Sequence, residues 1–246
     1  MRLLIVNPNT TASMTAKIAA AARQAAAAGT EIIAATSKNG PASIEGHLDG
    51  ALAVPGLLEE IAAGERNGVD AHIIACFDDT GLDAARSLAG APVIGIGEAA
   101  YVFAGLIAER FSVVTTLSCS VPVLAHNLER YGLGERCARV RAAEVPVLAL
   151  EEPGSGARRQ ISAEIAAALR EDGAEAIVLG CAGMADLAAA LAAEHQVPVV
   201  EGVAAAVKLA EGLASLGLAT SKVGSWAFPR PKARSAAYAT HADGGA

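Results

Sequence analysis

Two cysteines stand at matching places in this chain of 246 residues. Gly68-Val69-Asp70-Ala71-His72-Ile73-Ile74-Ala75-Cys76 aligns without a gap to Gly173-Ala174-Glu175-Ala176-Ile177-Val178-Leu179-Gly180-Cys181. Each copy reads glycine, small apolar, acid, alanine, four small or apolar residues, cysteine. The apolar run predicts a buried strand, and each cysteine falls at its carboxyl end, where parallel α/β sheets bind ligands. A helix starting just beyond would offer free N–H groups and partial positive charge, which favour a thiolate and lower its pKa from about 8.5. Two such thiols in one cleft can invert a carbon centre without a cofactor. One takes a proton, and the other returns one to the opposite face. The competing reading is that free cysteine is a common inert core residue. That accounts for one cysteine at a strand end, but not for two in equivalent positions. Cys119 has no matched partner and lies near a helix start that could border the cleft, and Cys137 reads as packing.

Other residues cluster at predicted strand ends. Asn7-Pro8-Asn9-Thr10 closes the first strand, with the Asn9 amide able to donate and accept and Thr10 or Thr11 able to cap a helix. Thr115 and Thr116 close the equivalent strand of the second copy and carry the same two readings. Gly40-Pro41-Ala42-Ser43-Ile44-Glu45-Gly46 has turn chemistry at both ends and could lay Ser43 and Ile44 over a ligand, or simply connect strand to helix. Phe77-Asp78-Asp79 follows Cys76. Asp78 or Asp79 is expected to cap the next helix, pointing away, because a carboxylate against Cys76 would raise its pKa. Asp78 also counts among the residues placed at the substrate. His47, His72, His126, His195 and His241 share no pattern and read as structural or solvated.

These residues need elements to position them. Strands are expected at Leu3–Val6, Glu31–Thr36, Ala71–Ala75, Pro92–Ile96, Ser112–Thr116, Ala143–Leu150, Ala176–Gly180 and Pro198–Glu201. Alanine-rich helical stretches such as Ser13–Ala28, Ile161–Glu171 and Asp186–His195 lie between them. The alternation predicts an α/β fold of parallel sheet and crossover helices. Because the chain repeats itself, two similar halves are expected. Apolar residues make up 53% of the sequence, ample for a core. The formal net charge of -7, without a basic cluster, argues against a nucleic-acid partner. No apolar segment has the length of a membrane span or leader, so no membrane partner and a cytoplasmic location are expected. Four cysteines without CxxC or histidine spacing predict neither disulfides nor metal. No nucleotide or pyridoxal motif appears, so no cofactor is expected and the partner is a small-molecule substrate. After Ser225, Phe228-Pro229-Arg230-Pro231-Lys232 interrupts any helix, and the last residues, through His241 and Gly245, are expected to be loosely held and outside the chemistry.

In this order and spacing, Asn7–Thr10, Gly40–Gly46, Ala75–Asp79, Val114–Thr116, Leu179–Met184 and Phe228–Lys232 make the chain resemble the aspartate/glutamate/hydantoin racemases. The likeness runs from Met1 to about Lys232 and is nearest the hydantoin and allantoin branch. It implies two pseudo-symmetric Rossmann-like halves with the site in the cleft between them. The first half spans residues 1–97 and 208–232, the second 98–207, with 233–246 as tail. It also implies a homo-oligomer, with Cys76 and Cys181 as the catalytic pair. The amino-acid racemases of this family often follow each cysteine with Asn or Thr, which helps hold a carboxylate; here Phe77 and Ala182 follow, which suits a neutral ring. The resemblance thus implies racemisation of a 5-substituted hydantoin, with Asn9, Ser43, Ile44, Phe77, Thr115, Thr116, Ala182 and Gly183 around it. Backbone N–H groups near Phe77–Asp79 and Ala182–Gly183 would stabilise the enolate. An aspartate or glutamate racemase, an arylmalonate-type decarboxylase and a non-catalytic ligand-binding α/β protein are the alternatives. The first lacks a visible carboxylate clamp, the second needs one catalytic cysteine, and the third leaves the pair unexplained.

Overall fold

The computed structural model describes residues 1–230. Pro231, Lys232, His241 and the tail expected at 233–246 lie outside the described residues. The first half of the chain runs β1 (Arg2–Asn7), α1 (Ala12–Ala25), β2 (Glu31–Thr36), α2 (His47–Arg66), β3 (Ala71–Ile74), α3 (Leu82–Leu88), β4 (Val93–Gly95) and α4 (Ile96–Ile107). The second half repeats the plan with β5 (Phe111–Thr115), α5 (Val121–Arg130), β6 (Cys137–Ala142), α6 (Ala157–Ala167), β7 (Ala176–Gly180), α7 (Ala188–His195), β8 (Val199–Glu201) and α8 (Gly202–Ser215). The strands form two four-stranded sheets of orders β2-β1-β3-β4 and β6-β5-β7-β8. Every pairing is parallel.

The internal repeat extends to register. Ile74 pairs with Val6 across β3 and β1, and Leu179 pairs with Val114 across β7 and β5. The aligned cysteines therefore leave their sheets at the same height. The central strands are buried because both faces are covered, which is why they read as continuous apolar runs rather than alternating ones.

One apolar cluster joins the halves. Leu3, Ile5 and Ile73 of the first sheet belong to it with Phe111, Val113 and Val178 of the second. Helices α1, α4 and α8 fill the space between, and α8 packs on both α1 and α4. Alanines such as Ala22, Ala100, Ala104 and Ala206 keep these helices slim. The starts of α4 and α8 approach closely: a Cβ on Gly202 would lie 2.4 Å from the Ile96 carbonyl oxygen, so only glycine fits. Each fully buried leucine or isoleucine in this cluster contributes about 1.5–3 kcal/mol.

One expected strand is misplaced. Ala143–Leu150 is not a strand; β6 lies just before it, at Cys137–Ala142. Two arginines, Arg139 and Arg141, mask that segment's strand character. It is a half-buried edge strand, and Arg141 is satisfied there by Asp172, Glu171 and Glu164. The apolar run after it breaks at Glu144, whose φ of 52° turns the chain. Val145 and Val147 are nonetheless buried. The run expected as helix from Asp186 also begins later, because Ala182–Leu187 winds as a tighter 3-10 turn.

Candidate active site

The carboxyl ends of β1, β3, β5 and β7 meet at one cleft of about 410 Å³, counted to its open mouth. The first sheet supplies Asn7, Pro8 and Asn9 after β1, and Ala75, Cys76, Phe77 and Asp78 after β3. The second supplies Thr115 and Thr116 after β5, and Gly180, Cys181 and Ala182 after β7. Met14, Ile44, Ser120 and Val147 complete the wall. Both thiols line the same space from equivalent strand ends.

Neither is acidic, which corrects the expectation of lowered pKa values. Helix α3 begins only at Leu82, six residues after Cys76, and although Cys181 caps the short 3-10 helix Ala182–Leu187 and takes the Gly183 N–H, burial outweighs that donor. The helix field fades within one turn. Burial and the neighbouring Asp78 carboxylate push the Cys76 thiol well up, against an N–H from Asp78 and the Thr80 hydroxyl 3.4 Å from its sulfur. Burial pushes the Cys181 thiol up to about 12, and the Gly183 N–H and the more distant Lys17 charge counter it only in part.

The two adjacent acids have separate fates. Asp79 is buried and takes a φ of 51°, a left-handed conformation that aspartate tolerates better than most residues. Its carboxylate accepts from Gly97 N (2.9 Å), Glu98 N (2.8 Å) and Tyr131 Oη (2.8 Å). It thus caps α4, not the helix that follows it in sequence. Burial pushes it up to about 7 against these three donors. Asp78 does not point away as a cap would. It lines the cleft beside Cys76, where burial pushes its carboxyl up to about 6 while the His47 charge and a hydrogen bond from Ser120 hold it down.

Asn9 lines the cleft, with its amide oxygen taken by Thr11 N (2.9 Å) and Asn7 Nδ2 (2.8 Å) and its amide nitrogen 3.2 Å from Met14 Sδ. Thr115 gives its hydroxyl to the Gly180 carbonyl, 2.9 Å away, and so joins the two strand ends beneath Cys181. Phe77 borders the cleft, but its ring packs edge-on against Tyr101 at 5.4 Å. Ser43 is not among the lining residues; its hydroxyl turns to Glu45. Gly183 stands behind the wall, where its N–H serves the Cys181 sulfur. Asn7, Met14, Ser120 and Val147 are lining residues that the sequence did not single out. Asn7 alone left a signal, as the neighbour of Asn9 in the first motif.

Two contacts strap the halves together beside the cleft. Glu45 Oε1 accepts from Val147 N at 2.9 Å, holding the Ile44 loop to the segment after β6. Lys17 of α1 reaches Leu150 O at 3.1 Å and Glu151 Oε1 at 2.9 Å. His72 is buried in β3 against Glu65 at 2.7 Å, and His195 meets the Ser162 hydroxyl at 2.8 Å, so both are structural. Among the described residues, no three His, Cys, Asp or Glu side chains gather as a metal ligand set. No helix among them is long and apolar enough to cross a membrane.

Residues 3–210 match the model of the family described as Asp/Glu/hydantoin racemase. The chain belongs to that family. A hydantoin racemase from Rhizobium meliloti is 52% identical over 233 residues, covering 95% of this chain and 97% of that protein. The structure of an allantoin racemase from Klebsiella pneumoniae superposes with a TM-score of 0.93 at 52% identity over 96% of each chain. An allantoin racemase from Pseudomonas fluorescens gives 0.92 at 44% identity over 95% of this chain and 99% of that one.

Proposed function

We propose that this chain racemises 5-substituted hydantoins, allantoin among them, with Cys76 and Cys181 as its two acid/base groups. One observation carries the reading: two free thiols, at equivalent ends of β3 and β7, line a single cleft. The names of the similar proteins support the substrate class. Among the described residues, the wall also lacks a cationic side chain that could clamp an amino-acid carboxylate.

The chemistry follows from placement. A thiolate on one side takes the C5 proton, and the electron pair spreads into the adjacent ring carbonyl. The thiol on the other side gives its proton to the opposite face of C5, and the two sulfurs have exchanged protonation states. The N–H of Asp78 at Cys76 and that of Gly183 at Cys181 stabilise whichever sulfur is ionised. These amides were expected to hold the enolate; serving sulfur leaves less of them for the substrate oxygen. The test is a polarimetric or circular-dichroism assay of the purified protein on allantoin, benzylhydantoin, isopropylhydantoin, aspartate and glutamate. The hydantoins should lose optical activity far faster than the amino acids. The reverse order would overturn the substrate class.

A further inference from the structure

We propose that the Asp78 carboxylate sets the charge class of the substrate, accepting an N–H from a neutral cyclic ureide and turning away ligands that bring a carboxylate. The inference rests on the hydantoin reading and adds to it a residue that sorts substrates by charge. Asp78 is the one charged side chain among the described residues that line the cleft. Its backbone is held by Asn127, whose Nδ2 donates to the Asp78 carbonyl at 2.9 Å, so the side chain is presented from a fixed point. Asp79 beside it has its oxygens committed to three donors. Asp78 receives a hydrogen bond from Ser120. A carboxylate offers about four acceptor positions, so capacity is left for a ligand. Hydantoins carry ring N–H donors; an amino acid at neutral pH carries a carboxylate.

Among the described residues that line the cleft none is cationic, and the His47 charge outside that lining offsets Asp78 only in part. Lys17, whose charge reaches Cys181, is committed to Glu151 and Leu150 O. Two like charges about 5 Å apart at an effective dielectric of about 20 weaken binding by roughly 250-fold. The charge also has a cost, since Asp78 raises both Cys76 and Cys181. A group that hinders thiolate formation on both sides of the cleft is consistent with a role in selecting the ligand.

The experiment uses two ligands with the same side chain: a 5-substituted hydantoin, and the ring-opened N-carbamoyl amino acid, which keeps the ureido group and adds a carboxylate. Affinity is read by calorimetry, so the result does not depend on turnover. Wild-type protein should prefer the hydantoin near pH 8. In Asp78→Asn the hydantoin should bind about tenfold or more weaker and the anion about tenfold or more tighter. The wild type supplies an independent arm if the variant fails to fold. As the pH falls through about 6, Asp78 takes a proton and the anion should gain affinity. His47, Cys76, Tyr101 and Cys181 are the titratable groups whose charges act on Asp78 or feel it, and Asp79 is its neighbour in the chain. Cys76, Cys181 and Tyr101 are protonated throughout this range, with pKa values raised by burial. Asp78→Asn removes only the Asp78 carboxyl, so the pH dependence that vanishes in the variant belongs to Asp78. An unchanged preference in Asp78→Asn, or a wild-type preference flat from about pH 5 to about pH 8, overturns the inference. Failure of wild type to bind or turn over any hydantoin overturns the substrate reading instead.

Discussion

Before substrate binds, both cleft thiols should be poor nucleophiles, and the structure sets how poor. Burial holds Cys181 at about 12. Near pH 7 that leaves a thiolate fraction of about 10⁻⁵, against about 3% for an ordinary cysteine of pKa about 8.5. The deficit is roughly 3,000-fold. A more basic thiolate attacks faster, and a Brønsted slope of about 0.4–0.5 over the difference returns roughly 25- to 55-fold. Exchange of Cys181 with a neutral disulfide such as 4,4′-dithiodipyridine should therefore run about a hundredfold slower than that of free cysteine. The measurement is stopped-flow exchange in a Cys119→Ser, Cys137→Ser background, which leaves the two cleft thiols. Because the raised pKa keeps the thiols protonated, the base form grows as pH rises. Exchange should then climb about tenfold per unit from about pH 7 to about pH 10, and racemisation should rise in the same direction. A rate equal to free cysteine near pH 7, or a plateau below about pH 9, would refute this account of the thiols.

Three substitutions test the architecture around them. Glu45→Ala leaves the Val147 N–H without its charged acceptor; it should cost about 1.5–3 kcal/mol in denaturant unfolding and raise KM more than it lowers kcat, as the Ile44 loop loosens. Gly180→Ala would put a Cβ 2.7 Å from Thr115 Cβ, so a loss of about 1–3 kcal/mol in thermal unfolding and a disturbed Cys181 are expected. Asp79→Ala uncaps α4 and strands the Tyr131 hydroxyl, and should cost at least about 2 kcal/mol; a neutral result would show that the cap contributes little.

Much of this was legible in the sequence, for identifiable reasons. Strands β3 and β7 announce themselves because both faces are buried, and the cysteines are fixed by the ends of those runs. The two-sheet plan follows from the repeat. What escaped depended on the path of the backbone between elements. Asp78 and Asp79 are equivalent as letters; the left-handed turn at Asp79 sends one to α4 and the other into the cleft. Ser43 and Ile44 share one loop, but only Ile44 reaches the wall, since Ser43 turns to Glu45. Val147 was read as strand interior; the break at Glu144 swings it into the cleft. Arg139 and Arg141 hid β6 because an edge strand tolerates charge that a central strand does not. The thiol acidities were misjudged because no α-helix starts beside Cys76, and at Cys181 burial outweighs the short 3-10 helix that it caps.

The most direct test of the two-thiol account is hydrogen exchange at C5 in deuterated water, followed by proton NMR on each pure enantiomer with Cys76→Ser and Cys181→Ser. Serine keeps the shape but is a far weaker acid than a thiol, so each variant loses one acid/base partner. Racemisation should fall by about 10²–10⁴-fold or more in both, because inversion in either direction needs both groups. Exchange without inversion should survive for one enantiomer in one variant and for the opposite enantiomer in the other. Full racemase activity in either variant, or exchange of the same enantiomer by both folded variants, would contradict the assignment of Cys76 and Cys181 to opposite faces of the substrate.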